Sequence, residues 1–262
     1  MKSLKLNILS VIFAIIIMLN MTACSDSSNI VNSESIPGDG IEELIIKTMG
    51  QNIQLQPSHD DDFKVAMKND KNLSIETKGN VLTIDASRSS KIINFKSETL
   101  IIEFPERVYN TIDVVTASGN ISGKDIQAEN LILTVSSGDI YLNGFKGNRI
   151  HGDVVSGNVT LEKITGSMQI ANETGVTSIQ HDGNFIDDSN ISTLSGKINF
   201  TFKNEPQNVF IDVSTEAGNI QTTLFSSNMI QSQGGGKKLF AELGSGGSTL
   251  TLKSSSGLIT LN

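Results

Sequence analysis

The chain has 262 residues, 37% of them apolar and 18% charged, with 20 basic against 28 acidic side chains and no Trp. Ser (32), Asn (24), Thr (20) and Gly (23) supply much of the remainder, a balance that favours strands and turns over helices. A net charge of −8 with no basic stripe repels phosphate and argues against nucleic acid as a partner.

The first segment reads as an address. Lys2 and Lys5 precede an almost unbroken apolar run from Ile8 to Leu19. At about a dozen residues it is short for a membrane span but right for the core of a signal peptide over residues 1–23. Met21-Thr22-Ala23-Cys24 comes next, after which the sequence turns polar. These residues resemble the bacterial lipobox, with Met21 in the place usual for Leu. That resemblance implies cleavage before Cys24, diacylglycerol on its thiol and usually an acyl chain on its new amine. The competing reading is an idle thiol after an uncleaved anchor. Cys24 is the only cysteine, so neither an intrachain disulfide nor a thiolate metal cluster is available to it. Loss of Lys2 and Lys5 would leave 18 basic and 28 acidic groups, a net −10. That sign disfavours anionic lipid surfaces, so the acyl chains must do the holding. The expected location is the extracytoplasmic face of a membrane. Since Ser25 and not Asp is next to the cysteine, the resemblance would point to the outer membrane where two exist. Residues 25–40, ending in Pro37-Gly38-Asp39-Gly40, read with Cys24 as a flexible tether.

From Ile41 to about residue 116 the candidate strands are Leu44–Ile46, Ile53–Leu55, Phe63–Val65, Val81–Ile84 and Leu100–Ile102. This region is expected to start or cap the repeats C-terminal to it, since an open β edge invites aggregation. Over 117–262 a short unit recurs: a small residue, Gly, usually a polar residue, then a β-branched or apolar one. Its glycines are Gly119, Gly138, Gly157, Gly196, Gly218 and Gly257, spaced 19, 19, 39, 22 and 39 residues apart. Thr165-Gly166-Ser167-Met168 and Thr174-Gly175 are degenerate copies. After each Gly the apolar residues alternate, as in Ile140 and Leu142, Val159 and Leu161, or Ile198, Phe200 and Phe202. Gly permits a tight corner, alternation marks a half-buried strand, and stacked copies bury what one copy cannot. The expected fold is therefore all-β: a parallel β-solenoid of about 19 to 22 residues per coil. At ~4.8 Å per coil, residues 41–262 would give about eleven coils and ~50 Å. A Gly-rich antiparallel sandwich is the rival architecture.

The Leu100-Ile101-Ile102-Glu103-Phe104-Pro105 strand, with serial Ser-Gly-Asn/Asp-Ile/Val units after it, resembles the bacterial "putative adhesin" family of unknown function. The resemblance covers about Ile41 to Asn262. It implies a β-solenoid exposed at the cell envelope, linked to adhesion or to envelope-stress responses, with no catalytic residues to carry over. The pattern blurs at Thr174–Asn190 and Ser226–Gly247, where loops or specialised contacts are expected.

Candidate chemistry is thin, and no cofactor or metal is expected. His59-Asp60-Asp61-Asp62 and His181-Asp182-Gly183, with Asp187-Asp188 nearby, contain metal-ligating residue types. Neither matches the spacing of a calcium loop, and both read as solvated turns. No G-x-S-x-G elbow is present, and Gly234–Lys238 has only part of a phosphate-loop pattern. The enzymatic rival is a carbohydrate-active β-helix, for which Asp139, Asp153 and Glu162 are the carboxylates to consider. Asn120, Asp139 and Asn158 fall at one corner position and read as a polar ladder. The favoured reading is a non-catalytic envelope lipoprotein for adhesion or for binding a surface protein or polysaccharide. The alternative is a partner or sensor in an envelope-stress system. Leu258–Leu261 is expected to pair with another chain, giving an oligomer, or to be covered by 226–247.

Overall fold

Side chains that alternate inward and outward set the structure of every coil. The computed structural model describes residues 32–68, 73–87 and 98–262; the apolar leader, Cys24 and residues 25–31 lie outside them. The strands in chain order are β1 (Asn32–Pro37), β2 (Glu43–Thr48), β3 (Asn52–Ser58), β4 (Asp62–Met67), β5 (Ser74–Lys78), β6 (Val81–Ala86) and β7 (Thr99–Pro105). Next come β8 (Tyr109–Thr116), β9 (Ile121–Ser137), β10 (Ile140–Ser156), β11 (Val159–Ile164), β12 (Ser167–His181) and β13 (Ser189–Phe202). The series closes with β14 (Val209–Thr215), β15 (Asn219–Thr222), β16 (Gln231–Gln233), β17 (Gly236–Leu243), β18 (Ser248–Ser256) and β19 (Leu258–Leu261).

The pairing is mostly parallel, and the molecule is a β-solenoid. Two columns define it. One runs Leu100, Ile53, Ile121, Ile140, Val159, Thr177, Ile198, Ile259, Ile220. The other runs Ile84, Ile46, Val114, Leu133, Gly152, Ile170, Ile191, Leu252, Val213. All the apolar members are buried. Each column has nine rungs, about 40 Å at ~4.8 Å per rung, against the eleven coils expected. The difference lies in β1, β4, β5, β16 and β17, whose apolar residues belong to antiparallel caps and not to further coils.

Rung order departs from chain order at both ends. The β2–β3 coil lies between β6–β7 and β8–β9. Likewise β18–β19 lie between β13 and β14–β15. Leu258–Leu261 therefore has neighbours from its own chain on both sides, which removes the reason to expect a partner chain there. The 226–247 segment covers β14 instead, through β17. At the opposite end β4 and β5 lie antiparallel on β7 and β6, and β1 lies on β4. Such caps occupy backbone groups that would otherwise template pairing with other chains. Asn32–Pro37, expected within the tether, is thus a strand of the cap. The division expected between residues 116 and 117 falls inside one coil, between β8 and β9.

The corner glycines form a single file. A Cβ on Gly138 would meet the carbonyl of Gly119, and the contacts continue through Gly157, Gly175, Gly196 and Gly257 to Gly218. Gly157 shows the constraint best: its φ is +152°, and a Cβ there would sit 1.9 Å from the Gly138 carbonyl oxygen. Beside this file, side-chain oxygens cap the next backbone. The Asp139 N–H donates to Asn120 Oδ1 (2.9 Å), the Asn158 N–H to Asp139 Oδ1 (2.7 Å) and the Val176 N–H to Asn158 Oδ1 (3.1 Å). Inside the corner, Thr48 Oγ1 donates to Thr116 Oγ1 (2.8 Å), which also accepts the Gly119 N–H (3.1 Å).

Candidate binding groove

A second corner, between the two faces, is built without glycine on most rungs. Register places Asp125, Gly144 and Lys163 at one position of three consecutive coils. All three have left-handed backbones, with φ of 46°, 97° and 54°. Outside glycine this region is uncommon and costs roughly 1–2 kcal/mol. The turn directs the chain inward again, so that Ile126, Phe145 and Ile164 are buried immediately after it.

The turns form one wall of a groove of about 780 Å³ that crosses these coils. Gln127, Lys146, Gly147, Asn148 and Thr165 also line it, above the buried side chains of Ile126 and Phe145. Pro57 and Glu106 bound one end, and Ile186 bounds the other. Thr165 is fixed in place, its hydroxyl accepting the Gly147 N–H (3.3 Å) and donating to the Phe145 carbonyl (3.2 Å).

Ile186 owes its position to a buried histidine. The His181 ring stacks on Phe185 with centroids 4.3 Å apart. Its Nε2–H donates to the Gly166 carbonyl (2.8 Å), and its Nδ1 accepts the Gly183 N–H (3.1 Å). These bonds require the neutral ring, and burial holds its pKa below the usual 6.5. Arg149 adds an ion pair to Asp187 (3.3 Å). The loop is therefore pinned from both sides while Ile186 itself is 61% exposed.

The charges on the groove divide into paired and unpaired groups. Asp125 lies 3.7 Å from Lys124, and Glu106 lies 3.4 Å from His59. Lys146 and Lys163 line the groove with no ion-pair partner among the described residues.

The other sequence candidates are dispersed. Gly119, Gly138, Gly157, Gly196, Gly218 and Gly257 stand in the corner file and carry no polar side chain to a site. The Asp139 carboxylate is engaged by Asn158 at that corner, Glu162 accepts the Tyr141 hydroxyl (3.1 Å), and Asp153 pairs with His151 (3.1 Å) on another face. The three carboxylates thus have separate partners and form no common site. His59, Asp60 and Asp61 border a polar pocket of about 640 Å³ that shares Glu106 with the groove; Asp60 pairs with Lys64, and Asp62 accepts the Ser35 hydroxyl (3.2 Å). Among the described residues, no three or more His, Cys, Asp or Glu side chains group so as to hold a metal ion. No described helix is long and apolar enough to cross a membrane.

A mostly parallel solenoid with antiparallel caps and a groove on one corner defines the class of protein. The Toastrack DUF4097 family model matches residues 41–181 and again 109–262, and the chain belongs to that family. Overlapping matches of one model are what a stack of similar coils produces. Among solved structures, a putative adhesin from Bacteroides fragilis NCTC 9343 is 13% identical, with 88% of this chain and 97% of that chain covered at a TM-score of 0.42. A putative cell adhesion protein from Clostridium sporogenes ATCC 15579 is 9% identical, with 88% and 98% covered at a TM-score of 0.40. No curated protein matches the chain.

Proposed function

We propose that the protein is a lipid-anchored component of the cell envelope, held through Cys24, that displays the solenoid outside the membrane. It grips an extended partner along the corner groove and catalyses no reaction. The observation that carries this reading is the groove itself: a recess crossing three consecutive coils, on a scaffold whose backbone is paired on both sides. Such a surface offers similar contacts at successive steps, and repeated weak contacts along a polymer add up to useful avidity. The carboxylates that hydrolytic chemistry would need are spread over separate faces.

The test is cosedimentation of the protein with intact cells, stripped cell wall and liposomes, beside a Cys24→Ser variant for the anchor. Saturable binding to cells or wall is expected, with Cys24→Ser released from membranes during fractionation. Absence of binding to all three preparations would refute adhesion, and a membrane-retained Cys24→Ser variant would refute the lipid.

One feature favours a second reading, contact with a single envelope protein. Phe240 on β17 is 57% exposed and stacks on Phe210 with centroids 6.3 Å apart, at the cap formed by residues 226–247. Under that reading Phe240→Ser abolishes a protein contact while binding to wall material is unaltered.

A further inference from the structure

The geometry points to an acidic polysaccharide as the occupant of the corner groove, with Lys146 and Lys163 as the residues that recognise its charges. This inference rests on the groove being the binding surface proposed above.

Three observations favour that ligand. First, the unpaired charge in the groove leans positive: Asp125 has the Lys124 ammonium at 3.7 Å, and against the single carboxylate of Glu106 at one end stand Lys146 and Lys163, neither with an ion-pair partner among the described residues. In a chain of net charge −8, two unpaired ammonium groups in one recess are a local reversal of sign. The general negative field is screened beyond ~8 Å at physiological salt, so the groups at contact decide.

Second, Lys163 sits in a left-handed backbone, φ 54°, at a position where the preceding coil uses Gly144. Glycine would relieve that conformation, so the fold itself gives no reason for a lysine there.

Third, the groove runs across strands and not along a strand edge. The backbones of β9, β10, β11 and β12 that border it pair with one another in parallel ladders. A peptide could not add itself as a further strand, which is how extended peptides commonly gain main-chain bonds. A sugar polymer needs no such edge. It presents pendant carboxylates for the lysines and ring faces for the accessible apolar surface of Pro57 and Ile186 at the groove's ends.

The experiment is calorimetric titration of the purified full chain with polygalacturonate oligomers, with neutral dextran and polyglutamate of similar length as comparators. Polygalacturonate is expected to bind saturably, at least about tenfold tighter than either comparator, and more weakly as salt rises. Lys146→Gln and Lys163→Gly should each weaken binding about fivefold. Lys163→Gly should leave the melting temperature unchanged or raised, which separates loss of recognition from loss of structure. Asp125→Asn should tighten binding, since Asn tolerates the left-handed turn and the variant frees Lys124. Equal affinity for dextran would overturn the role of charge, and equal affinity for polyglutamate would overturn the sugar. Unchanged affinity in both lysine variants would overturn the site. Should wild type and Lys163→Gly bind cells equally, this inference fails while adhesion stands. Should neither bind cells, adhesion fails whatever the titration shows.

Discussion

Substitution of Gly157 by Ala measures how tightly the rungs are locked at the corner file. The added Cβ would lie 1.9 Å from the Gly138 carbonyl oxygen, where contacts below 3.0 Å are essentially never seen, so the rungs must separate locally by about 1.1 Å. That movement acts on the Gly157 N–H to Thr174 carbonyl bond (3.1 Å) and on the Gly138 N–H to Ser156 carbonyl bond (3.0 Å). Two hydrogen bonds at ~1 kcal/mol each, plus ~1–2 kcal/mol for an L residue at φ +152°, give about 3–4 kcal/mol. For a folded unit of this size that is a fall of roughly 6–16 °C in melting temperature. Gly79→Ala is the control, because its φ is +61° but nothing lies within 4 Å of the added Cβ. It should cost only ~1 kcal/mol, roughly 2–4 °C. Thermal unfolding monitored by circular dichroism compares the two. A Gly157→Ala loss no larger than that of Gly79→Ala would refute close approach as the reason for glycine in the file.

Buried polar groups supply three further tests. The His181 pKa is lowered in the folded state, so its stabilising contribution is complete above about pH 6.5 and declines as the pH falls below that value. Denaturant unfolding at pH 7.5 and 5.0, in wild type and in His181→Gln, should show the larger acid loss in wild type; equal losses would exclude the histidine as its source. Thr116→Val keeps the shape but leaves the Gly119 N–H without its acceptor, while the Thr48 hydroxyl can turn to the Gln51 carbonyl (3.2 Å), at a cost of about 1–2 kcal/mol. A variant as stable as wild type in urea would show that water replaces the hydroxyl there. Asp113 is half-buried, and burial pushes its carboxyl above the usual range, with one oxygen unpartnered. Asp113→Thr should therefore stabilise the protein at pH 7 by roughly 1 kcal/mol, an advantage that shrinks on acidification as the wild-type carboxyl takes up its proton. Loss of stability at pH 7 would contradict this.

The coil is readable from sequence because two local rules coincide in it. Gly permits the corner and alternation comes directly after, so Gly138-Asp139-Ile140-Tyr141-Leu142 reports a corner and a strand in five residues. The strands around Leu44, Ile53, Phe63, Leu82 and Leu100 are legible from alternation alone. Rung order is not, because a parallel ladder selects neighbours by shape and not by distance along the chain. Ile259 matches Ile198 and Ile220 equally well, and nothing local states that it lies between them. β1 is hidden because NSESIP has one buried apolar residue with any periodic context, and its partner β4 lies some thirty residues away. The groove escapes a sequence reading for a related reason. Asp125 and Lys163 carry no turn signature, and only alignment of ISGKDIQ, IYLNGFK and VTLEKIT exposes Gly144 at their shared position. His181 reads as a member of an acidic turn, although its ring is the buried side of that turn.

The clasped order of the coils bears on biogenesis. A solenoid stacked strictly in chain order could zip up as it is made, each new coil closing on the one before. Here β13 and β14 cannot meet in their final arrangement until residues 248–261 arrive to lie between them. Until then β14 can pair with β17, but its other edge, and that of β15, must wait unfilled. If the chain is exported in extended form, as the proposed envelope location requires, that delay would keep the far end loose until transport is nearly over. Once the last coil slips in, the same arrangement works as a latch, since no coil can peel away without first displacing a neighbour that was made at a different time.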